Sequence, residues 1–182
     1  MMKKSFVIFG IIEAIPLPIF LIYAGLIDQS IPQNWQGPYL TSSIAALLTT
    51  TLLILNKVPL NRLIIGINVY LITGSFILVT EQVWLNQLYG KMEAAGMLAV
   101  IIIVGVVSLL LSPAGFIGIK SQDRKKVIIF SLYLLVVAQV AFLFSFYFQG
   151  NKIYSEYVPF MALFAIQAIL KSKMIVGGKH MS

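Results

Sequence analysis

The chain has 182 residues, of which 59% are apolar and only 10% charged, with a net charge of +7 and no cysteine. A soluble domain carries about a quarter charged residues. Thirteen basic and six acidic residues are too few to keep a globule of this size in water, and the polar bias of a disordered chain is missing. Disulfides, thiolate metal sites and cysteine nucleophiles are excluded.

What remains is an all-α polytopic membrane protein. One compact bundle fits the length, with no room for a separate soluble domain. Six continuous apolar runs, about 6–27, 38–55, 63–80, 94–111, 127–148 and 154–170, read as a bundle of six transmembrane helices. None shows the period-two alternation of a barrel strand.

The first run follows Lys3 and Lys4. It is too long for a signal-peptide core, carries Glu13, Pro16 and Pro18, and lacks a small-x-small cleavage site, so it reads as a retained span. Glu13 lies seven residues beyond Phe6, about 10 Å along a helix. An ionisable group there is costly in lipid and should face the bundle interior, with Gly10 and Ala14 marking the adjacent packing face. Pro16 and Pro18 remove two backbone donors and predict a kink directly after Glu13.

The second run starts at Gly37-Pro38 and carries Thr49, Thr50 and Thr51 near its far end. In the third, Asn61, Asn68, Ser75 and Gln82 recur every seven residues as a polar stripe. Pro113 and Gly115 stop the fourth. The connection 112–126 then ends in Lys120, Arg124, Lys125 and Lys126, which read as a solvated cluster touching lipid head groups. The fifth run holds the small residues Ser131, Ala138 and Ser145, with Gln139 near its middle. The sixth is the shortest, with Pro159 in its first turn, Ala162, Ala165 and Ala168 as a small-residue face, and Gln167 near its end.

Charge sets the expected orientation. With both termini cytoplasmic, only Lys91 and Lys152 of the 13 basic residues fall outside, together with Asp28, Glu81, Glu93 and Glu156. Five spans would carry Lys171, Lys173 and Lys179 to the wrong side. Trp35, Trp84, Tyr23, Tyr39, Tyr89, Tyr147, Tyr154 and Tyr157 cluster at the outer boundary as an interfacial belt. The positive charge is therefore directed at anionic lipid rather than nucleic acid. None of the asparagines heads a glycosylation sequon, which fits a bacterial cytoplasmic membrane.

A candidate intramembrane polar site follows from depth: Glu13, Asn68, Thr50 and Gln167 in one layer, with Gln139 deeper. The bland alternative is interhelical hydrogen bonding, worth about 0.6 kcal/mol per amide. Three spans plus three would give halves of inverted topology, a layout common among transporters, although the halves share no sequence match.

An enzyme is not expected. His180, the single histidine, sits in a basic tail, and no His/Cys cluster, carboxylate pair or phosphate-binding glycine loop exists. No cofactor is implied. In size and six-span layout the chain resembles the substrate-binding membrane subunits of vitamin importers, and more loosely the small intracellular-septation membrane proteins of bacteria. No motif of either maps onto it, so neither likeness assigns a residue. Two readings stand: a small permease or the membrane subunit of one, with its site around Glu13, and a scaffold whose polar residues are helix glue. Partners beyond lipid are other membrane proteins or a second copy.

Overall fold

The structure, a computed structural model, describes residues 2–28 and 31–178. Lys179 and His180 lie outside the described residues. Among those described, every regular element is helical: α1 (Met2–Ala14), α2 (Pro16–Leu26), α3 (Gln36–Leu55), α4 (Arg62–Val79), α5 (Val83–Leu111), α6 (Arg124–Tyr147) and α7 (Val158–Gly178). A 3₁₀ turn, Pro32–Trp35, leads into α3, and a π-helical turn, Ile153–Tyr157, leads into α7.

Six segments are long and apolar enough to cross a membrane: Ile8–Leu26, Gln33–Leu55, Arg62–Val79, Ala94–Leu111, Arg124–Tyr147 and Ile153–Met174. A chain with six such helices is a multi-pass helical membrane protein. The bounds follow the apolar runs closely, with two differences. Lys91 and Glu93 interrupt hydropathy but not helix, so α5 begins at Val83, well before its apolar stretch. The last segment is longer than its apolar run, because α7 continues past Leu170 through Lys171 and Lys173.

The chain divides into two compact units between Lys91 and Met92, each holding three of the six spans. In the first unit α3 packs against α2 and α4, and α1 packs on α3. α3 buries Ser42, Ala46, Thr49 and Leu53, a small-residue face at helical spacing. Serine and threonine are tolerated there because their hydroxyls bond their own helix: Ser42 donates to the Pro38 carbonyl, and Thr49 to that of Ala45 at 2.8 Å. Opposite, Gly74 leaves room for Tyr39, whose ring a Cβ at position 74 would overlap. Tyr39 donates to the Tyr70 hydroxyl at 3.1 Å, and Phe20 meets the Tyr39 ring edge-on at 4.9 Å. Tyr39, with Phe20, is therefore a core residue rather than a member of the interfacial belt in which its position placed it.

In the second unit α6 packs against α7 and the π-helical turn. Ser131, Ala138 and Ser145 form its buried face, with Leu134, Leu135 and Ala141. α7 turns Ala162, Ala165 and Ala168 outward and buries Pro159, Leu163 and Gln167 instead. Burying the Gln167 amide inside protein removes a polar group from hydrocarbon, which outweighs the closer approach alanines would permit. Gly10 likewise is exposed, and a Cβ there would meet nothing within 4 Å.

Candidate functional site

The first unit contains Glu13, Thr50 and Asn68. Pro16 and Pro18 cannot donate to the carbonyls of Ile12 and Ala14. The helix is interrupted there: α1 ends at Ala14, and Ile15 N bonds the Ile12 carbonyl at 3.3 Å in a tightened turn before α2 starts at Pro16. That break leaves Glu13 in the last turn of α1, 8% exposed.

Its Oε1 accepts a hydrogen bond from the backbone N–H of Asn61. Asn61 is the N-cap of α4, and its own Oδ1 accepts from Leu63 N at 3.1 Å. The carboxylate therefore sits at the positive end of α4, where unbonded N–H groups and the helix dipole favour an anion. Spacing suggests a polar group facing the bundle interior, and the structure buries Glu13 against a helix end.

Asn68 lies seven residues further along α4 than Asn61, about 10 Å deeper. Glu13 and Asn68 are thus held at different levels rather than in one layer. Asn68 is 6% exposed and its Nδ2 donates to Thr50 Oγ1 at 3.1 Å. Its carbonyl oxygen, Oδ1, is buried with no hydrogen-bond partner among the described residues. Of the heptad stripe on α4, Asn68 and Ser75 are buried, Asn61 is half-buried and Gln82 is exposed. Beyond that stripe Tyr70 stacks on Tyr89, rings 4.8 Å apart and 10° from parallel. Burial raises the Tyr89 phenol above its ordinary pKa, and a hydrogen bond with Thr73 opposes the rise.

The second unit contains Gln139, Gln167 and the basic cluster. Gln167 is 3% exposed in α7. Gln139 is exposed on α6, on the face away from Ala138, so nothing in its own unit encloses it.

Arg124, in the basic cluster, is exposed and also bonds backbone. Its Nη1 donates to the carbonyls of Ser112 and Pro113 at 2.8 and 2.9 Å, and its Nη2 to that of Leu109 at 3.0 Å. Leu109 lies in the last turn of α5, and Ser112 and Pro113 directly follow it; the Ser112 carbonyl also accepts from Gly115 N at 3.0 Å, and the planar guanidinium reaches all three oxygens at once. Asp123 caps α6, accepting from Lys126 N at 3.2 Å, and its other oxygen lies 3.8 Å from Lys126 Nζ. Lys120 and Lys125 remain exposed and suited to head groups.

The α5–α6 connection is itself partly core: Ala114, Phe116 and Ile117 are buried. Gly115, at φ +58°, brings the turn against Ser131, whose Oγ accepts from Ile117 N at 3.2 Å. Near the other end of α6, Ser145 Oγ donates to the Ser155 carbonyl at 2.6 Å. Sequence reasoning missed the roles of Arg124, Ser131 and Tyr70. The signal for the first was available: Pro113 and Gly115 end a helix, and an arginine follows within reach of its carbonyls.

Among the described residues no group of three or more His, Cys, Asp or Glu is placed to hold a metal ion. Comparison of the chain with protein-family models, curated proteins and solved structures returns no match. The class that fold and geometry define is a helical multi-pass membrane protein of two three-span units, with the incompletely bonded Asn68–Thr50 pair in the first.

Proposed function

We propose that the chain is a small permease, or the membrane subunit of one, that meets its solute at Asn68 and Thr50. The supporting observation is the orphaned Asn68 Oδ1 in a membrane-spanning helix. A buried acceptor without a donor costs roughly 1–3 kcal/mol, and a solute or water carrying an O–H or N–H donor removes that cost. Two units of three spans each add weight: an odd number of crossings gives the halves opposite orientations, as in many transporters. Charge distribution supports both termini cytoplasmic in a bacterial inner membrane, with anionic lipid at Lys120 and Lys125.

The test is thermal unfolding of the purified chain against a panel of small uncharged solutes bearing hydroxyl or amide donors. A solute that raises the wild-type midpoint, leaves Asn68→Leu unmoved and still stabilises Lys125→Ala is the expected result. No shift across the panel counts against the reading. Reporter fusions at Gln33, Gly90 and Asn151 should read outside, and at Asn61 and Ser121 inside.

A second reading, a membrane scaffold whose polar side chains join helices, is favoured by Glu13. Its carboxylate already holds the α4 cap. Under that reading Asn68→Leu raises stability and leaves every cellular activity intact.

A further inference from the structure

Thr50 is bonded unlike its neighbours on α3. Thr41, Ser42, Ser43 and Thr49 each donate to a carbonyl of their own helix, the usual way a hydroxyl is satisfied in an apolar helix. Thr50 donates to none of these carbonyls. Its Oγ1 accepts from Asn68 Nδ2 at 3.1 Å, and among the described residues its own hydrogen meets no acceptor. Asn68 Oδ1 is the converse, a buried acceptor that meets no donor among the described residues. The pair therefore carries one unmet donor beside one unmet acceptor. Turning the Asn68 amide over exchanges the roles: its nitrogen becomes the unmet donor and Thr50 Oγ1 the unmet acceptor. The count of one each is unchanged.

The surroundings select further. Thr50 lies five residues from the end of α3 and Asn68 six from the start of α4, about 8 Å and 9 Å along the two helices. The short connection 56–61 joins those ends, so the two residues are level with each other inside the apolar span. Asn68 is buried, but Thr50 is half-buried, and Leu47 and Ile54 beside it on α3 are 53% and 59% exposed. The pair sits at the rim of the α3–α4 contact and is reached past apolar side chains. α3 has no charged residue, and the single one on α4, Arg62, stands about 9 Å away at the helix start. An ion brought to this level finds no counter-charge on either helix and is strongly disfavoured.

We propose that the Thr50–Asn68 pair selects neutral solutes whose polar group both donates and accepts, a carboxamide or a hydroxyl, against ammonium, carboxylate and donor-free carbonyl groups. This selectivity rests on the permease reading and gives its solute a chemical class. A primary carboxamide serves both needs along one planar edge: its N–H donates to Asn68 Oδ1 and its carbonyl accepts from the Thr50 hydroxyl. A hydroxyl does the same with one oxygen. A tertiary amide leaves Asn68 Oδ1 unmet, an ammonium leaves the Thr50 hydrogen unmet, and both ions arrive uncompensated. A site with buried polar groups discriminates against the analogue that fails to pair them.

The test is thermal unfolding of the purified full-length chain titrated with small matched probes: acetamide, ethanol, ethylammonium, acetate and N,N-dimethylacetamide. Each titration is read against Asn68→Leu, so that general effects of the additive on the fold cancel. Acetamide and ethanol should raise the wild-type midpoint over that reference, and the other three should not. A response to only one of the two names the polar group and supports the class. Thr50→Val keeps the shape of the side chain and removes the hydroxyl, and it should raise the half-maximal acetamide concentration about fivefold, the worth of one hydrogen bond. Thr50→Ser should restore it. If Thr50→Val does not fold, the wild-type ranking of the probes decides. A wild-type response to N,N-dimethylacetamide or to either ion that equals the acetamide response and vanishes in Asn68→Leu overturns the selectivity and leaves the permease reading standing. So does indifference of acetamide to Thr50→Val. Silence from every probe overturns both.

Discussion

The two units secure their helix connections by opposite electrostatic means. In the first, a carboxylate from α1 reaches the α4 cap, 48 residues away in sequence, and accepts from the amide of Asn61. In the second, the guanidinium of Arg124 holds carbonyls at and just after the end of α5, 11 to 15 residues back along the chain. A carboxyl oxygen meets a helix start and a cation meets a helix end, each supplying what the unbonded backbone groups there lack. The pair teaches that ionisable residues at the borders of these spans first satisfy unbonded backbone groups. Others, such as Lys120 and Lys125, stay exposed. The units differ in reach: the first is closed by a non-local contact, the second by a local one.

The largest expected effect tests the local closure. Gly115→Ala places a Cβ against Ser131 Oγ and 2.9 Å from Val127 Cγ1, at a φ of +58°. Left-handed strain and overpacking together should cost about 3 kcal/mol. Thermal unfolding in detergent should show a large drop in midpoint, and an unchanged midpoint would break the claim that this turn anchors α5 to α6.

The non-local closure comes next. Glu13→Ala leaves the Asn61 amide without its acceptor and should cost about 2 kcal/mol. Glu13→Gln keeps an acceptor oxygen and loses only the charge, so the loss should be under about 1 kcal/mol. Equal losses for the two would sharpen the comparison differently, making the charge rather than the hydrogen bond the essential feature. The smallest effect is Arg124→Lys. A single ammonium cannot span three carbonyls, but the site is exposed, so the loss should be about 0.5 kcal/mol, seen as a modest fall in midpoint with faster exchange of amides near Ser112.

Helix positions were legible because apolar runs of about 20 residues have few other uses. The start of α3 at Gly37-Pro38 and the stop of α5 at Pro113 follow from residue types that act on their own backbone. The candidate site was only partly legible. That Glu13 and Asn68 are buried follows from the cost of polar groups in lipid, and the structure buries both. That they occupy different levels does not follow, because counting residues from the ends of apolar runs ignores the break at Ile15 and the connection that carries Asn61 to Glu13. Gln139 shows the same gap. Its depth was readable, but the face it occupies depends on which side of α6 the small residues bury.

Sequence alone determined the helical class and the six apolar segments, since those are local consequences of composition along one helix. It also determined which residues are unwelcome in hydrocarbon. Tertiary structure decided what each of those residues meets: Glu13 the α4 cap, Asn68 a threonine, Arg124 the end of α5, while Gln139 stays on the exposed side of its own unit. The physical reason is that in an apolar chain nearly every helix face is equally hydrophobic. The periodicity that tells inside from outside in a soluble protein is therefore weak, and packing contacts between distant segments make the choice.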